Sequence, residues 1–305
     1  LGDAEGPAQL GRAGGGVGVS QLANGVSGHA GGHFAGVERP RIDGPGERYE
    51  PLGGPVEELA KGGAKGAASP REVGAASDVV GICVPEDKHV FQVMTGEDGV
   101  LAGAAPGTVV AITSTIQPTT AIELAELAAE KGVQVLDSCV TGGAARAEQG
   151  VVTYLVGGAE DALERARPFL ECNSTNIIHA GELGNGAKLK LAINVLSYIQ
   201  WAAAYESFRL ATASGLPAEV FEEAGRSNGQ LTDMMQQFLV MHKLPKEAVE
   251  SEAFQKLNRG HMNIAEKDFA WALQLARESG ITLPVAGQVA QSRARIYGVT
   301  DEGRR

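Results

Sequence analysis

From Asp78 onward the hydrophobic and polar positions fall into two rhythms. Residues 78–85 (DVVGICVP) form an apolar run closed by proline, which predicts a buried strand ending at a loop. Residues 108–113 follow a proline-glycine turn and predict a second strand, ending at Ser114-Thr115; residues 133–136 predict a third, ending at Asp137. Between these two, residues 120–131 repeat with helical period and stop at Gly132, a C-cap position. Strand, loop, helix and strand in this order predict a mostly parallel sheet, whose binding residues gather beyond the carboxyl ends of the strands. Residues 151–156 supply another strand before Gly157-Gly158, and residues 159–170 a helix.

After Gly186 the pattern is helical throughout. Residues 188–213 place Leu189, Ile193, Leu196, Ile199, Ala203 and Leu210 in one uninterrupted stretch that stops at Gly215. At 1.5 Å per residue it is a helix roughly 35–40 Å long. Further helices are expected over 217–224, 230–242, 263–280 and 284–297. The expected organisation is an α/β domain over residues 1–180 and an all-α domain over residues 181–305.

Composition changes this picture at one end. Of 42 glycines, 20 lie in the first 80 residues, and fragments such as Gly18-Val19-Ser20-Gln21-Leu22 are interrupted before an element is established. Residues 1–75 therefore yield turns but no legible strand or helix. Charge excludes more than it assigns: 26 basic against 37 acidic side chains give a net charge of -11, a field that repels nucleic-acid backbones. Cys83, Cys139 and Cys172 have no C-x-x-C spacing, which argues against a disulfide framework and a cysteine zinc site. His89, His179, His242 and His261 are isolated, without H-E-x-x-H spacing, so no metal is expected. With no apolar run of about 18 residues and no basic stretch leading into an apolar block, a cytoplasmic protein without membrane contact is expected.

Candidate chemistry lies where the two patterns meet. Lys190 and Asn194 are four apart on the long helix, just after a run of glycines at 181, 184 and 186, and so share one helix face. Alone, the pair reads as a solvated lysine and a helix-surface asparagine; among Leu189, Leu191 and Ala192, it also reads as an amine held against a substrate. Thr141-Gly142-Gly143 is either a tight turn or a nest presenting a hydroxyl and backbone N–H groups to a carboxylate. Lys267-Asp268, opening a late helical stretch, is most economically a surface charge couple.

Taken together and in order, these segments resemble the β-hydroxyacid dehydrogenase family, which includes 3-hydroxyisobutyrate dehydrogenase and tartronate semialdehyde reductase. The family's substrate loop is similar to residues 137–143 (DSCVTGG), continuing through Ala147 and Gly150 to Val156-Gly157-Gly158. Its catalytic segment is similar to Gly181, Gly184 and Gly186 followed by Lys190 and Asn194, and its late motif to Lys267-Asp268 with Ala276, Gly280 and Pro284. Cys83-Val84-Pro85 and Ser114-Thr115-Ile116 with Pro118 resemble its two cofactor-side loops. The resemblance covers about residues 75–290. It implies a Rossmann-type N-terminal domain binding NAD or NADP, a long interdomain helix and a helical domain for substrate and oligomerisation. Lys190 would be the general acid and base; Asn194 would hold the substrate, and Thr141, Gly142 and Gly143 its carboxylate. Val84, Pro85 and Thr115 would lie near the nicotinamide, with Lys267 closing over the cofactor. The implied substrate is a small 3-hydroxyacid or its semialdehyde or keto form, with reduction of tartronate or succinic semialdehyde as the alternative, and the implied assembly a homodimer or homotetramer. A non-catalytic dinucleotide-binding protein is the competing expectation.

Departures from the family pattern concentrate at the start. In place of G-x-G-x-x-G, residues 9–14 (QLGRAG) keep Gly11 and Gly14 but have Gln9 at the first position. A second register through Gly14 and Gly16 ends on Val19. Glu38, Arg39, Arg41 and Asp43 all fall late for the residue that selects the ribose, which leaves NAD and NADP both open. Downstream, Thr141 stands where serine is common and Cys139 replaces the usual proline.

Overall fold

A computed structural model describes residues 35–37 and 65–300, which fall into two compact units dividing after Gly186. Gly11, Gly14 and the four ribose-selecting candidates lie outside the described residues.

In the first unit β1 (Ala35–Val37) pairs in parallel with β2 (Lys65–Ala67). Helix α1 (Pro70–Ala75) follows, capped by the Ser69 hydroxyl, which accepts the Glu72 N–H at 3.2 Å. The main sheet takes its five strands in chain order: β3 (Val79–Ile82), β4 (Val109–Ile112), β5 (Gln134–Thr141), β6 (Thr153–Gly157) and β7 (Ile177–His179). Every residue of β3 and β4 is buried, as parallel strands covered on both faces require. Ile82, Ile112 and Asp137 are in register across β3, β4 and β5, so the carboxyl ends of β3 and β4 share one edge. Helices α2 (Asp87–Met94), α3 (Val100–Gly103), α4 (Pro118–Ala129), α5 (Gly143–Glu148) and α6 (Glu160–Glu171) fill the connections. From α6, Ala162, Leu163, Ala166, Phe169 and Leu170 pack on Val109, Leu136, Tyr154 and Val156. Each of the larger side chains contributes roughly 1.5–3 kcal/mol by leaving water.

The third strand does not stop at Asp137, as the sequence pattern predicts, but runs on to Thr141, and this extension pairs antiparallel with β6. A polar residue reads as a strand end because burying it usually costs too much. Here Asp137 is fully buried, and its carboxylate accepts the Gly184 N–H. The short strand β7 has no counterpart among the sequence expectations; neither have α2, α3 and α5.

Helix α7 (Asn185–Ala213) carries the chain into the second unit; its 29 residues span about 43 Å. There follow α8 (Ala218–Ser227), α9 (Asp233–Val240), a 3-10 turn (Met241–Lys243), α10 (Lys246–Val249), α11 (Glu252–Glu278), α12 (Pro284–Gln291) and α13 (Arg293–Ile296). Tyr198, Ala202 and Tyr205 of α7 meet Met262, Ala265 and Phe269 of α11 in the core, and Trp201 stacks on Phe238 with ring centres 4.9 Å apart. Two boundaries differ from expectation. The helix expected from 263 begins at Glu252, because Ser251 caps it by accepting the Phe254 N–H at 3.3 Å and Gly260 is carried inside. The helix expected over 284–297 breaks at Ser292, whose hydroxyl turns back to the Gln288 carbonyl at 3.2 Å. Among the described residues no helix is long and apolar enough to cross a membrane, and no group of three or more His, Cys, Asp or Glu is arranged to hold a metal ion.

Candidate active site

In the first unit the segments following β3 and β4 are joined by their own side chains. The Ser114 hydroxyl accepts the Val84 N–H at 2.7 Å, and the Thr113 hydroxyl donates to the Ile82 carbonyl at 3.0 Å. The Cys139 thiol of β5 donates to the Ser114 carbonyl at 3.2 Å. Val84, Pro85 and Thr115, expected near the nicotinamide, are thus brought to one edge of the sheet, where ligands of open α/β folds bind. Val84 and Thr115 are half-buried and Pro85 exposed. Burial pushes the neighbouring Cys83 thiol up from its usual pKa, a shift that its hydrogen bond with Thr113 only partly offsets. That thiol is therefore no nucleophile at neutral pH.

Thr141 closes β5, and Gly142 and Gly143 follow with φ of 129° and 77°. Only glycine adopts two such conformations in succession without strain, so the turn into α5 is built for backbone rather than side-chain contact. Gly186, in the first turn of α7, and Gly157, at the end of β6, serve close approach instead. A Cβ on Gly186 would collide with the carbonyl oxygens of Asp137 and Leu155, and one on Gly157 with the Asp137 carboxylate.

The second unit carries Lys190 and Asn194 one turn apart on α7, both buried, at 9% and 8% exposure. The solvated-surface reading of this pair is excluded. The Asn194 amide donates to Asp268 Oδ2 at 2.6 Å, and the Tyr198 hydroxyl donates to the same oxygen at 2.7 Å. The Lys267 ammonium stands 2.9 Å from Oδ1 and 3.8 Å from the centre of the Trp271 ring. Lys267 and Asp268 therefore do not open a helix as a surface couple; they lie in the interior of α11, with Asp268 wholly buried. Two hydrogen bonds to one oxygen and an ion pair at the other make that burial tolerable, since an unpaired buried charge costs on the order of 3–5 kcal/mol. Burial raises the Tyr198 phenol far above its usual pKa and the Asp268 carboxylate adds to the shift, so the hydroxyl stays protonated and remains a donor. Tyr198 lies in the core of the second unit, with Trp201 and Phe238 packed against it.

Sequence reasoning missed the roles of Ser114, Asp137, Tyr198 and Asp268 as anchors. The one legible signal was Asp137, a lone carboxylate at the end of an apolar run.

Comparison with known proteins assigns the family. The NAD binding domain of 6-phosphogluconate dehydrogenase matches residues 51–181, and the NAD-binding domain of NADP-dependent 3-hydroxyisobutyrate dehydrogenase matches residues 184–300. An uncharacterized oxidoreductase of Mycobacterium tuberculosis is 36% identical over 248 residues, covering 80% of this chain and 83% of its own. The NAD-dependent L-serine dehydrogenase of Pseudomonas aeruginosa is 35% identical over 242 residues, covering 79% and 80%. Among solved structures, M. tuberculosis 3-hydroxyisobutyrate dehydrogenase with L-serine superposes with a TM-score of 0.69 at 25% identity, covering 92% of this chain and 93% of that one. The α/β unit with its helical successor, the paired family domains and these relatives agree: the chain belongs to the β-hydroxyacid dehydrogenase family, which includes 3-hydroxyisobutyrate dehydrogenase, and is an NAD(P)-dependent oxidoreductase.

Proposed function

We propose that the protein interconverts small primary 3-hydroxyacids, HOCH2–CHR–COO−, and their semialdehydes, with Lys190 as general acid and base. The observation that carries this reading is the buried Lys190 and Asn194 pair, with Asn194 tied to Asp268. The names of the relatives support the substrate class: L-serine, 3-hydroxyisobutyrate and 2-(hydroxymethyl)glutarate all contain a primary alcohol one carbon from a carbon bearing a carboxylate.

The residues fit a nicotinamide dinucleotide at the sheet edge, where the Val84 N–H is turned onto the Ser114 hydroxyl, which ties the apolar Val84-Pro85 segment to the Ser114-Thr115 segment. Val84, Pro85 and Thr115 would hold its nicotinamide end; Gly11, Gly14 and Lys267 would hold the remainder. When bound, the cofactor supplies the hydride acceptor, a chemistry that amino-acid side chains lack. Gly142, Gly143 and the Thr141 hydroxyl bind the substrate carboxylate, and Asn194 holds the reacting hydroxyl. Lys190, neutral in the oxidation direction, takes the hydroxyl proton; as an ammonium it returns a proton to the developing alkoxide on reduction. On this reading residues 1–180 serve the cofactor and residues 181–305 the substrate and assembly into a homodimer or homotetramer. The exposed Leu257 and Ile264, seven apart on α11, support such an assembly.

The test is an initial-rate panel of these three hydroxyacids, with tartronate and succinic semialdehydes in the reducing direction, each with both cofactors. Lys190→Ala is expected to lower turnover by about 100-fold or more while leaving NADH or NADPH affinity, read by nicotinamide fluorescence, within about threefold. Unchanged turnover in that variant overturns the role of Lys190, and binding of neither nucleotide by the wild type overturns the enzyme reading.

A further inference from the structure

A carboxylate can only accept hydrogen bonds, so the group it holds on an asparagine must be the NH2 end. Asp268 Oδ2 holds Asn194 Nδ2 at 2.6 Å, which fixes the orientation of the whole amide and turns its carbonyl oxygen away from Asp268. Asp268 is itself immobilised: the Tyr198 hydroxyl donates to Oδ2 at 2.7 Å, and the Lys267 ammonium stands 2.9 Å from Oδ1. Its complete burial removes water as a competitor for these contacts.

We infer that Asp268 is a positioning residue that locks the Asn194 amide, holding one Nδ2–H so that the second donates to the oxygen of the substrate's reacting hydroxyl, Tyr198 fixing the carboxylate in turn. The inference rests on the proposed hydroxyacid chemistry and adds its polarity. The amide donates to the oxygen of the alcohol, so the O–H proton stays free for Lys190 and the same N–H steadies the developing alkoxide. Without Asp268 the amide rotates, and in about half of its orientations presents its carbonyl oxygen where the donor is needed.

A double-mutant cycle tests this, since residues that act through one another are non-additive. Asp268→Asn is expected to lower kcat/KM on the best hydroxyacid of the panel by about 10- to 100-fold. The same substitution in an Asn194→Ala background is expected to cost less than about threefold, because the group it orients is gone. Equal losses in both backgrounds, or no loss, overturn the inference. Should Asp268→Asn fail to fold, Tyr198→Phe runs the same cycle with a smaller expected loss. A readout independent of turnover is the side-chain amide signal of Asn194 in protein labelled with 15N-asparagine, assigned by its absence from Asn194→Ala. It is expected to be shifted downfield and protected from exchange, and to lose both properties in the Asp268 variant; an unshifted, rapidly exchanging signal in the wild type overturns the inference. If the wild type oxidises no hydroxyacid, the proposed function fails, whereas the amide signal still decides whether Asp268 orients Asn194.

Discussion

Asp137 Oδ1 accepts the backbone N–H of Gly184 at 2.9 Å, joining the middle of β5 to the loop from which α7 rises. The carboxylate is fully buried, and Gly184 is buried with it. Lys190 lies within the first two turns of α7, which starts directly after Gly184, so this bond fixes the start of the helix that carries the candidate proton donor. Asp137→Ala leaves a buried N–H without that acceptor and is expected to destabilise the protein by about 1–3 kcal/mol. Asp137→Asn keeps an oxygen that can face Gly184 and is expected to cost less than the alanine variant. Chemical denaturation of the two variants checks the order; alanine and asparagine variants of equal stability would show that the Gly184 bond contributes nothing.

Gly186 and Gly260 predict opposite outcomes for the same substitution. Gly186 faces the backbone oxygens of Asp137 and Leu155, which cannot move without breaking β5 or β6, so Gly186→Ala is expected to cost about 2–3 kcal/mol. Gly260 lies exposed inside α11 with nothing within 4 Å of its would-be Cβ. Gly260→Ala is expected to stabilise by about 0.5–1 kcal/mol, the helix-propensity difference between the two residues. Thermal melts of both variants against the wild type decide it, and a stabilised Gly186→Ala would show the approach at that glycine to be looser than described.

This contrast also marks what the sequence could disclose. Parallel strands such as β3 and β4 were legible because burial on both faces leaves a continuous apolar text, and α7 because no glycine or proline interrupts it. The pairing of Lys190 with Asn194 was legible because a spacing of four is local. The bond from Asn194 to Asp268 spans 74 positions, and no local rhythm encodes it. The extension of β5 through Asp137 was hidden for a related reason: a buried carboxylate is acceptable only once its distant donor is known, and that donor sits 47 residues away. Gly260 shows the converse, a poor helix former overruled by the packing of the rest of α11.

His242 is expected to make stability fall in mild acid. Its ring lies in the 3-10 turn between Tyr205 and Phe238, with centres 4.6 and 5.3 Å away, and burial lowers its pKa to about 4. The unfolded chain takes up this proton near pH 6.5 and the folded chain only near pH 4, so between those values the unfolded state binds more protons. The contribution of the neutral ring is therefore intact above about pH 6.5, shrinks as pH falls toward about 4, and changes no further below that. Allowing for the part of the ring that water reaches, the loss is about 1–2 kcal/mol. Gln in this position keeps an N–H donor for the Ile296 backbone but cannot titrate. Denaturation midpoints at pH 7.5 and pH 4.5, numbers chosen to bracket about that window, should differ less in His242→Gln than in the wild type. Because carboxylates titrate alike in both proteins, an identical pH dependence would mean that the His242 ring is protonated in the folded state as readily as in the unfolded one.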